Sequence, residues 1–443
     1  MRRVSVVGLG FIGLAMAVHL ASKGYNVLAS SNDKQKVKKV AHAKIQFFEP
    51  RLEQMLRSVL RSKKLKVVHG RESAVLNSDM TFVTVGTPSR RDGSCDLTFI
   101  KETTKEIGKA LKEKDSYHLV VIRSTVPPGT TEQVVKPLLE RYSGKKIGKQ
   151  IGLAMSPEFL REGAAMNDVA NPDRVVIGEL DKKSGNLLEE FNLQLYGNNV
   201  PILRMNLASA ELTKYAANIF LATKISFINQ IANICERIKG MDVNEIAHAI
   251  GLDPRIGQEF LKAGAGWGGS CFPKDTRAMV QFSKRMGYSA GLTKEAIKVN
   301  ILQAKRIVEL AEEELGNLRE KKVAVLGLSF KPETDDIRDA PSLRIIEMLL
   351  MKGAKVAAYD PVAMENFRRV FGNKIEFSEN IDKCLSEADC CVVVTEWKEF
   401  QKLNPDYFAN LMRKPVLIDG RKIYDSQAFS RKLKFRAIGL GQS

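Results

Sequence analysis

A single cysteine near the middle of the chain stands between a glycine-rich run and a predicted helix start. Cys271 follows GAGWGGS (264–270) and precedes FPKD (272–275). Glycines let the backbone approach a ligand closely, and a proline followed by an acidic residue is typical of the first turn of a helix. The helix dipole and the nearby Lys274 favour the thiolate, which is the form that attacks a carbonyl carbon. The pattern predicts a covalent nucleophile, and the alternative is a small apolar residue in the core.

The amino-terminal segment carries a glycine pattern typical of dinucleotide binding. The apolar run VSVV (4–7) leads into GLGFIG (8–13), and a helix is predicted over 14–21. In this motif the first glycine permits a tight turn, the second admits the pyrophosphate, and the third lets helix and strand touch. The amino terminus of the helix then faces the phosphates. Because a second strand is predicted at 25–29, the context predicts a dinucleotide site.

The position that selects between NAD and NADP is unusual. An acid that binds the ribose 2′-hydroxyl is expected about 20 residues after the motif, and Ser31 and Asn32 stand there instead, with Asp33 just beyond. Lys34 and Lys36 could receive a 2′-phosphate, or they are ordinary solvated lysines. These residues leave the choice between NAD and NADP open.

Composition narrows the class of protein. With 443 residues, of which 44% are hydrophobic, the chain can form two or three cores. The net charge of +18 is spread along the sequence without a basic block, which argues against nucleic-acid binding. The excess would attract an anionic substrate, but solubility or a basic proteome explains the same charge. No apolar run approaches the roughly 20 residues of a membrane helix. We therefore expect a cytoplasmic protein without disulfides, and the cysteines show no metal-ligand spacing.

Short apolar strands alternate with amphipathic helices up to about residue 195, which predicts a doubly wound sheet. Strands are predicted at 81–85, 118–122, 151–154 and 174–177. The loops that follow them contain GTP (86–88), STVPPG (124–129) and SPEFLREG (156–163). Open sheets bind ligands at the carboxyl ends of their strands, so these loops are candidate site loops.

From residue 207 to 238 the pattern predicts one long helix, in which Lys214 and Asn218 share a face. Further helices follow to about 318, and KVAVLG (322–327) begins a second alternating segment with Lys331 and Arg338 after its first strand. The predicted fold is α/β, with two Rossmann-like doubly wound domains joined by a long central helix and a helical middle domain. The expected domains are 1–195 (dinucleotide-binding), 196–318 (central, with the cysteine loop) and 319–443 (a second Rossmann-like domain).

These motifs, in this order, resemble the nucleotide-sugar 6-dehydrogenases, which oxidise UDP-glucose, GDP-mannose or UDP-N-acetylhexosamines to uronic acids. The resemblance extends over the whole chain. It rests on GLGFIG (8–13), STVP (124–127), PEFL (157–160), Lys214 with Asn218, DPRIG (253–257), the Cys271 loop, and the segment 331–338. Within the family, GSCFPKD (269–275) is most similar to the UDP-glucose branch.

The resemblance implies a four-electron oxidation that uses NAD twice and passes through a thiohemiacetal and a thioester on the cysteine. The catalytic residues that it implies are Cys271, Lys214, Asn218, Asp275, Thr125 and Glu158. The cofactor-binding residues that it implies are Gly8, Gly10, Phe11, Ile12, Gly13, Ser31, Thr87, Thr125, Glu162, Lys274 and Arg338. The substrate-binding residues that it implies are Glu158, Phe159, Leu160, Lys214, Asn218, Arg255, Gly268, Lys331 and Arg421. No metal is expected.

The resemblance also implies a homodimer or higher homo-oligomer, in which Arg255 enters the site of a neighbouring subunit. Three positions depart from the family pattern: Ser156 and Lys422 each replace an asparagine, and Ser31 replaces the ribose acid. Oxidation of another nucleotide sugar (UDP-galactose, a UDP-N-acetylhexosamine or GDP-mannose) therefore stays open, as does use of NADP. A non-catalytic nucleotide-sugar sensor is the alternative from a different class, and the presence of Cys271 and Lys214 argues against it.

Overall fold

The computed structural model describes residues 3–441, so the first two and last two residues of the predicted outer domains lie outside the described residues. The chain divides into two compact units. Unit 1 extends to Ala217 and includes Arg277–Arg285, and unit 2 comprises Asn218–Thr276 and the chain from Met286 onward. The predicted three-domain boundaries at 195 and 318 stay a prediction.

Unit 1 is built on a sheet of eight strands in the order β3-β2-β1-β4-β5-β6-β7-β8. All neighbouring pairs are parallel except β6 and β7, which pair antiparallel. The strands are β1 Arg3–Val7, β2 Asn26–Ser31, β3 Leu65–His69, β4 Met80–Val83, β5 His118–Ile122, β6 Ile151–Met155, β7 Val175–Glu179 and β8 Ile202–Asn206.

Helices connect the strands of unit 1, because parallel neighbours need a crossover rather than a tight turn. They are α1 Phe11–Ser22, α2 Lys34–Ala41, α3 Leu52–Arg61, α4 Glu72–Leu76, α5 Thr98–Lys112, a π-helical turn Thr131–Val135, α6 Lys136–Ser143, α7 Ala165–Ala170 and α8 Lys182–Tyr196. Strand residues alternate between two apolar clusters: in β5, Leu119 and Val121 belong to one cluster and Val120 and Ile122 to the other. Successive strand residues point to opposite faces of the sheet, and because both faces are covered, an inner strand such as β5 is buried along its whole length.

A long helix, α9, follows β8 and covers Leu207–Cys235. It ends three residues before the predicted end at 238, because its last turn tightens: Arg237 and Ile238 donate their N–H groups to carbonyl oxygens three residues back, at 3.0 Å each. The helices that follow are α10 Val243–Gly251, α11 Phe272–Arg285 and α12 Gly291–Leu315.

Unit 2 contains a parallel sheet of six strands in the order β11-β10-β9-β12-β13-β14. The strands are β9 Lys322–Leu326, β10 Lys355–Tyr359, β11 Glu376–Phe377, β12 Cys390–Val393, β13 Val416–Asp419 and β14 Lys434–Ala437. The connecting helices are α13 Pro341–Met351, α14 Met364–Phe371, α15 Ile381–Leu385, α16 Lys398–Gln401, α17 Pro405–Leu411 and α18 Ser426–Ser430, with a short 3-10 turn Gly372–Lys374. The prediction of two doubly wound α/β sheets is confirmed.

No helix within residues 3–441 is both long enough and apolar enough to cross a membrane.

Candidate active site

The turn between β1 and α1 has the geometry of a phosphate cradle. Gly8 has φ 117°, and a Cβ on it would lie 2.8 Å from the carbonyl oxygen of Thr84. A Cβ on Gly13 would overlap the carbonyl oxygen of Gly8. At Gly10, by contrast, a Cβ would meet no described atom within 4 Å, and no side chain among residues 3–441 caps α1 there. The fold itself requires the outer two glycines, while the middle one opens space at a helix amino terminus, which fits a dinucleotide pyrophosphate.

The carboxyl end of β2 is polar and exposed. The Ser31 hydroxyl accepts a hydrogen bond from the Asp33 N–H at 3.1 Å. Asp33 accepts from the Lys36 N–H at 2.9 Å, a helix cap that lowers the pKa of this carboxyl. The Asn32 amide donates to Glu106 at 3.0 Å. The predicted position for the ribose thus presents a neutral hydroxyl, and the nearest acid in the sequence is engaged as a cap.

A buried ion pair follows β6. Lys214 Nζ lies 3.1 Å from Glu158 Oε1, and the two side chains are only 4% and 5% exposed. Lys214 Nζ also lies 5.4 Å from the centre of the Phe159 ring, and Glu158 Oε2 accepts from the Leu160 N–H at 2.6 Å. A buried pair of this kind needs such partners to offset the loss of water. The structure therefore brings four predicted site residues together in unit 1.

The loops after β4 and β5 are tied to each other. Thr87 Oγ1 donates to the Thr125 carbonyl oxygen at 2.8 Å, and Ser124 Oγ donates to the Val85 carbonyl oxygen at 2.6 Å. Because β4 and β5 are neighbours in the sheet, both loops lie at one edge, where open α/β sheets bind ligands. Further along the chain, Glu162 is half-buried in the loop after β6.

Two buried carboxylates that bind the segments after β5 and β6 were missed by reasoning from the sequence. Glu49 is 4% exposed and accepts from the N–H groups of Gly163 and Ala165 at 2.7 and 2.8 Å. Glu211 is fully buried and accepts from residues 129 and 131. For Glu211 a signal was present, since it lies three residues before Lys214 on the same helical face. For Glu49, far along the chain from its partners, there was none.

In unit 2, Cys271 immediately precedes α11, as predicted. The Cys271 carbonyl oxygen accepts the Asp275 N–H at 2.9 Å, and Ser270 Oγ lies 3.5 Å from the sulfur. All six cysteines lie within residues 3–441; Cys271 is half-buried, and the other five are buried. A half-buried position at a helix amino terminus is typical of a reactive thiol rather than of a packing residue.

Asp275 organises the residues around Cys271. It is 1% exposed, and its carboxylate accepts from Asn218 Nδ2 at 2.7 Å and pairs with the Lys274 ammonium. An amide nitrogen carries two hydrogens, so Asn218 can donate one to Asp275 and the other to a second acceptor. The structure thus brings Asn218, Asp275 and Lys274 together, one helical turn from the thiol.

The glycine run before Cys271 packs against the segment that precedes α13. The Gly269 N–H donates to the Arg338 carbonyl oxygen at 2.8 Å, and Gly269 has φ 86°. A Cβ on Gly268 would lie 2.5 Å from the Asp339 carbonyl oxygen. These glycines therefore serve close packing within the protein, and a substrate contact at Gly268 stays a prediction.

Arg421 and Lys422 both point into the protein. Arg421 donates to the carbonyl oxygens of Val394 at 2.5 Å and Gly266 at 3.3 Å, which ties the cysteine loop to the end of β12. Lys422 is a departure from the family pattern, and its side chain is 3% exposed and pairs with Asp242 at 2.7 Å. The lysine thus anchors the start of α10.

The remaining predicted ligands are more exposed. Lys331 Nζ lies 5.6 Å from the ring centre of its neighbour Phe330. Arg338 pairs with Asp336 at 2.7 Å. Arg255 is 88% exposed and pairs with Asp253. Their roles in binding stay predictions.

Comparison with known proteins identifies the family. Residues 2–196 match the NAD binding domain of the UDP-glucose/GDP-mannose dehydrogenase family, residues 208–301 match its central domain, and residues 324–426 match its UDP binding domain. The chain belongs to this family of NAD-dependent oxidoreductases, so the predicted family and the predicted cofactor NAD are confirmed.

Relatives are similar over nearly their full length. UDP-glucose 6-dehydrogenase AglM of Haloferax volcanii is 40% identical over 422 residues, 95% of this chain and 96% of the relative. UDP-glucose 6-dehydrogenase TuaD of Bacillus subtilis is 39% identical over 424 residues, 96% of this chain and 90% of the relative. The structure of a UDP-glucose dehydrogenase from Pyrobaculum islandicum superposes with a TM-score of 0.92 at 37% identity, covering 99% of this chain and 98% of the other.

Proposed function

We propose that this chain is a UDP-glucose 6-dehydrogenase, which oxidises the C6 alcohol of UDP-glucose to the carboxylate of UDP-glucuronate. The observation that carries the proposal is the half-buried Cys271 at the start of α11, beside the buried Asn218–Asp275 pair. A simple alcohol dehydrogenase has no need of a nucleophilic thiol. Oxidation beyond the aldehyde needs one, because an aldehyde must first become an adduct that can lose hydride.

Cys271 acts between the two oxidations. The C6 alcohol first loses a hydride and a proton. The thiolate then adds to the carbon of the resulting aldehyde, and the aldehyde oxygen takes up a proton to form a thiohemiacetal. Loss of a second hydride and the hydroxyl proton gives a thioester, which water hydrolyses with the thiolate as leaving group. When bound, NAD supplies the hydride acceptor for both oxidations. The sulfur is therefore nucleophile and leaving group in turn.

The polar residues on α9 stabilise charge on oxygen. Lys214 is a buried cation, and Asn218 has an amide hydrogen to spare after its bond to Asp275. Both suit an alkoxide or a tetrahedral oxyanion in a site with little water. Glu158 holds the Lys214 ammonium and, with Thr125, is proposed to hold the water used in proton transfer.

We extend the proposal to the ligand contacts. Residues proposed for NAD are Gly8, Gly10, Phe11, Ile12, Gly13, Ser31, Thr87, Thr125, Glu162, Lys274 and Arg338. Residues proposed for the UDP-sugar are Glu158, Phe159, Leu160, Lys214, Asn218, Arg255, Gly268, Lys331 and Arg421. Two observations support these assignments: the open space at Gly10 and the match of residues 324–426 to a UDP binding domain.

We also propose that the enzyme works as a homodimer or higher homo-oligomer in the cytoplasm. Phe220, Phe227 and Ile234 recur every seven residues on α9 and are 65%, 49% and 47% exposed. Such a stripe on one helix suits a self-complementary interface between copies. Sedimentation of the protein as a monomer at micromolar concentration would contradict this assembly. A reducing compartment suits a reactive thiol.

The direct test measures reduced cofactor per sugar. Mixing the protein with NAD and limiting UDP-glucose is expected to give two reduced cofactors and one uronate per sugar, because two hydrides leave C6. Cys271→Ser is expected to abolish uronate formation, while Cys95→Ser, the same change at a buried cysteine of unit 1, leaves it intact. Full uronate production by Cys271→Ser would overturn the proposal.

A panel of sugars separates the alternatives. A UDP-D-ManNAc dehydrogenase from Pyrococcus horikoshii superposes with a TM-score of 0.88 at 29% identity, covering all of both chains, so UDP-N-acetylmannosamine belongs in the panel beside UDP-galactose and GDP-mannose. A higher kcat/KM for one of these would reassign the substrate. Reduction of no cofactor with any of them would support a sensor.

Removal of the buried cation tests the role of α9. Lys214→Ala is expected to lower kcat by about 10²–10³-fold, the usual effect of losing an oxyanion donor, with UDP-glucose affinity retained. Lys109→Ala, at an exposed lysine of α5, is the matched control. Unchanged turnover in Lys214→Ala would remove the assignment.

A further inference from the structure

A fully buried carboxylate on the first turns of α9 binds the segment that follows β5. Glu211 Oε2 accepts the Gly129 N–H at 2.5 Å, and Oε1 accepts the N–H and the hydroxyl of Thr131 at 2.7 and 2.6 Å. Glu211 has no measurable exposure. Three donors on two oxygens is the arrangement of an ionised carboxylate.

The segment held in this way is the one that carries Thr125. It runs from the end of β5 through Pro127 and Pro128 to Gly129, at φ 87°, and enters the π-helical turn Thr131–Val135. The N–H groups at the start of a helical segment have no partner within it. Glu211 satisfies two such groups from a different element, so the position of the segment depends on this side chain.

We propose that Glu211 is a positioning residue of the active site, whose carboxylate fixes the Thr125 segment against the part of α9 that carries Lys214. The inference rests on the proposed function, in which Lys214 stabilises charge on oxygen and Thr125 helps to hold the water used in proton transfer. Glu211 and Lys214 are three residues apart on one helical face. Lys214 is in turn fixed by Glu158. One helix thereby sets the spacing of two loops, those after β5 and β6.

The ionisation of Glu211 matters to this role. Burial raises the pKa of its carboxyl to about 7, and the hydrogen bonds from Thr131 and Gly129 oppose the rise. The groups that contact the carboxylate are neutral; the next charged group on its own helix is Lys214, paired with Glu158, and the next one on the facing segment is the exposed Glu132. Below about pH 7 one carboxyl oxygen of Glu211 is protonated. That oxygen then becomes a weaker acceptor for the N–H group that it faces.

The test is a comparison of Glu211→Gln with the wild-type enzyme across pH. The amide places an NH₂ group opposite one of the three donors, where protonation of the carboxylate would place an O–H group. We expect kcat to fall about tenfold or more at about pH 8.5, and this ratio of wild type to variant to shrink toward unity at about pH 6, because the wild-type carboxyl is then protonated. The KM for UDP-glucose is expected to stay within about twofold. Glu132→Gln, the same change on the exposed side of the segment, is the matched control.

Two further measurements test the inference even if Glu211→Gln folds poorly or if the substrate is a nucleotide sugar other than UDP-glucose. Thr131→Val removes the hydroxyl donor at nearly constant volume and is expected to give a smaller loss of kcat with the same dependence on pH. Hydrogen exchange of a peptide covering 124–135 is expected to be faster in Glu211→Gln, with or without activity. Wild-type turnover and exchange in Glu211→Gln, or a loss of kcat independent of pH, would overturn the positioning role while leaving the proposed reaction untouched.

Discussion

The two sheets share a strand order around their first strand, but the loop that follows this strand is short and open in one sheet and long and internally hydrogen-bonded in the other. In unit 1, β1 leads through three residues into α1, and the middle glycine of the turn opens space. In unit 2, β9 leads through a long loop, residues 327–340, to α13. There the N–H groups of Leu328 and Ser329 donate to Asp360 at 2.7 and 3.0 Å.

Asp360 stands at the carboxyl end of β10, the place that corresponds to Ser31 at the end of β2. It is 1% exposed, and it also accepts from Trp397 Nε1 at 3.1 Å and from the N–H groups of Val362 and Ala363. In unit 2 the protein itself therefore occupies donors that a pyrophosphate would need. The same topology thus leaves the turn after the first strand open to a dinucleotide in unit 1. In unit 2 the Asp360 carboxylate instead accepts from the corresponding N–H groups, and the loop serves to carry side chains.

The largest expected effect concerns Asp360. Asp360→Ala leaves buried N–H donors of the β9 loop without an acceptor, and we expect unit 2 to lose about 3 kcal/mol or more of unfolding free energy. Asp33→Ala in unit 1 removes only an exposed helix cap and is expected to lose about 1 kcal/mol. Urea titration measures both. Equal losses would mean that Asp360 is not what distinguishes the two sheets.

An intermediate effect concerns the glycine turns. Gly10→Ala has room in the protein itself, so we expect unchanged thermal stability and a loss of NAD affinity on the order of tenfold or more, because the methyl group meets the pyrophosphate. Gly327→Ala, at φ 95° and with its Cβ 2.5 Å from Thr395, is expected to lower stability instead. Calorimetric binding of NAD and thermal melting distinguish the two. Undiminished NAD binding by Gly10→Ala would place the cofactor elsewhere.

The smallest expected effect concerns cofactor choice. Ser31→Asp restores an acid at the ribose position, which repels a 2′-phosphate and accepts from a 2′-hydroxyl. We expect the preference for NAD over NADP in kcat/KM to rise about tenfold, or about 1.4 kcal/mol. Asn32→Asp, one residue further on and beside Glu106, serves as the control. A preference that Ser31→Asp leaves unaltered would show that this end of β2 does not contact the ribose.

The sequence predicted the elements better than the contacts. Short apolar strands alternate with amphipathic helices, and GLGFIG stands between a strand and a helix, so the fold could be predicted from local patterns. The placement of Cys271 before α11 also followed from Pro273 and Asp275 close by. These signals lie within a few residues of each other.

Contacts between segments that are distant in the sequence could not be predicted. Nothing in the neighbours of Glu49 or Asp360 marks them as buried acceptors, and for Glu211 the only signal is its spacing from Lys214. Decisive partners lie far along the chain, 114 residues away for Gly163 and Glu49 and 32 residues away for Leu328 and Asp360. The glycines before Cys271 were interpreted as ligand contacts, and two of them pack against residues 338–340. Burial of a polar group depends on tertiary partners, which a single sequence does not display.

The burial of five cysteines has a practical consequence for the sixth. Desolvation raises the pKa of the thiols of Cys235, Cys384, Cys390 and Cys391, that of Cys384 to about 12, which makes them poor targets for alkylating reagents and peroxide. Such reagents should modify Cys271 first. If Cys271 has the proposed catalytic role, inactivation and incorporation of label proceed in step, with one adduct per chain, and an oxidant inactivates the enzyme before it damages the fold.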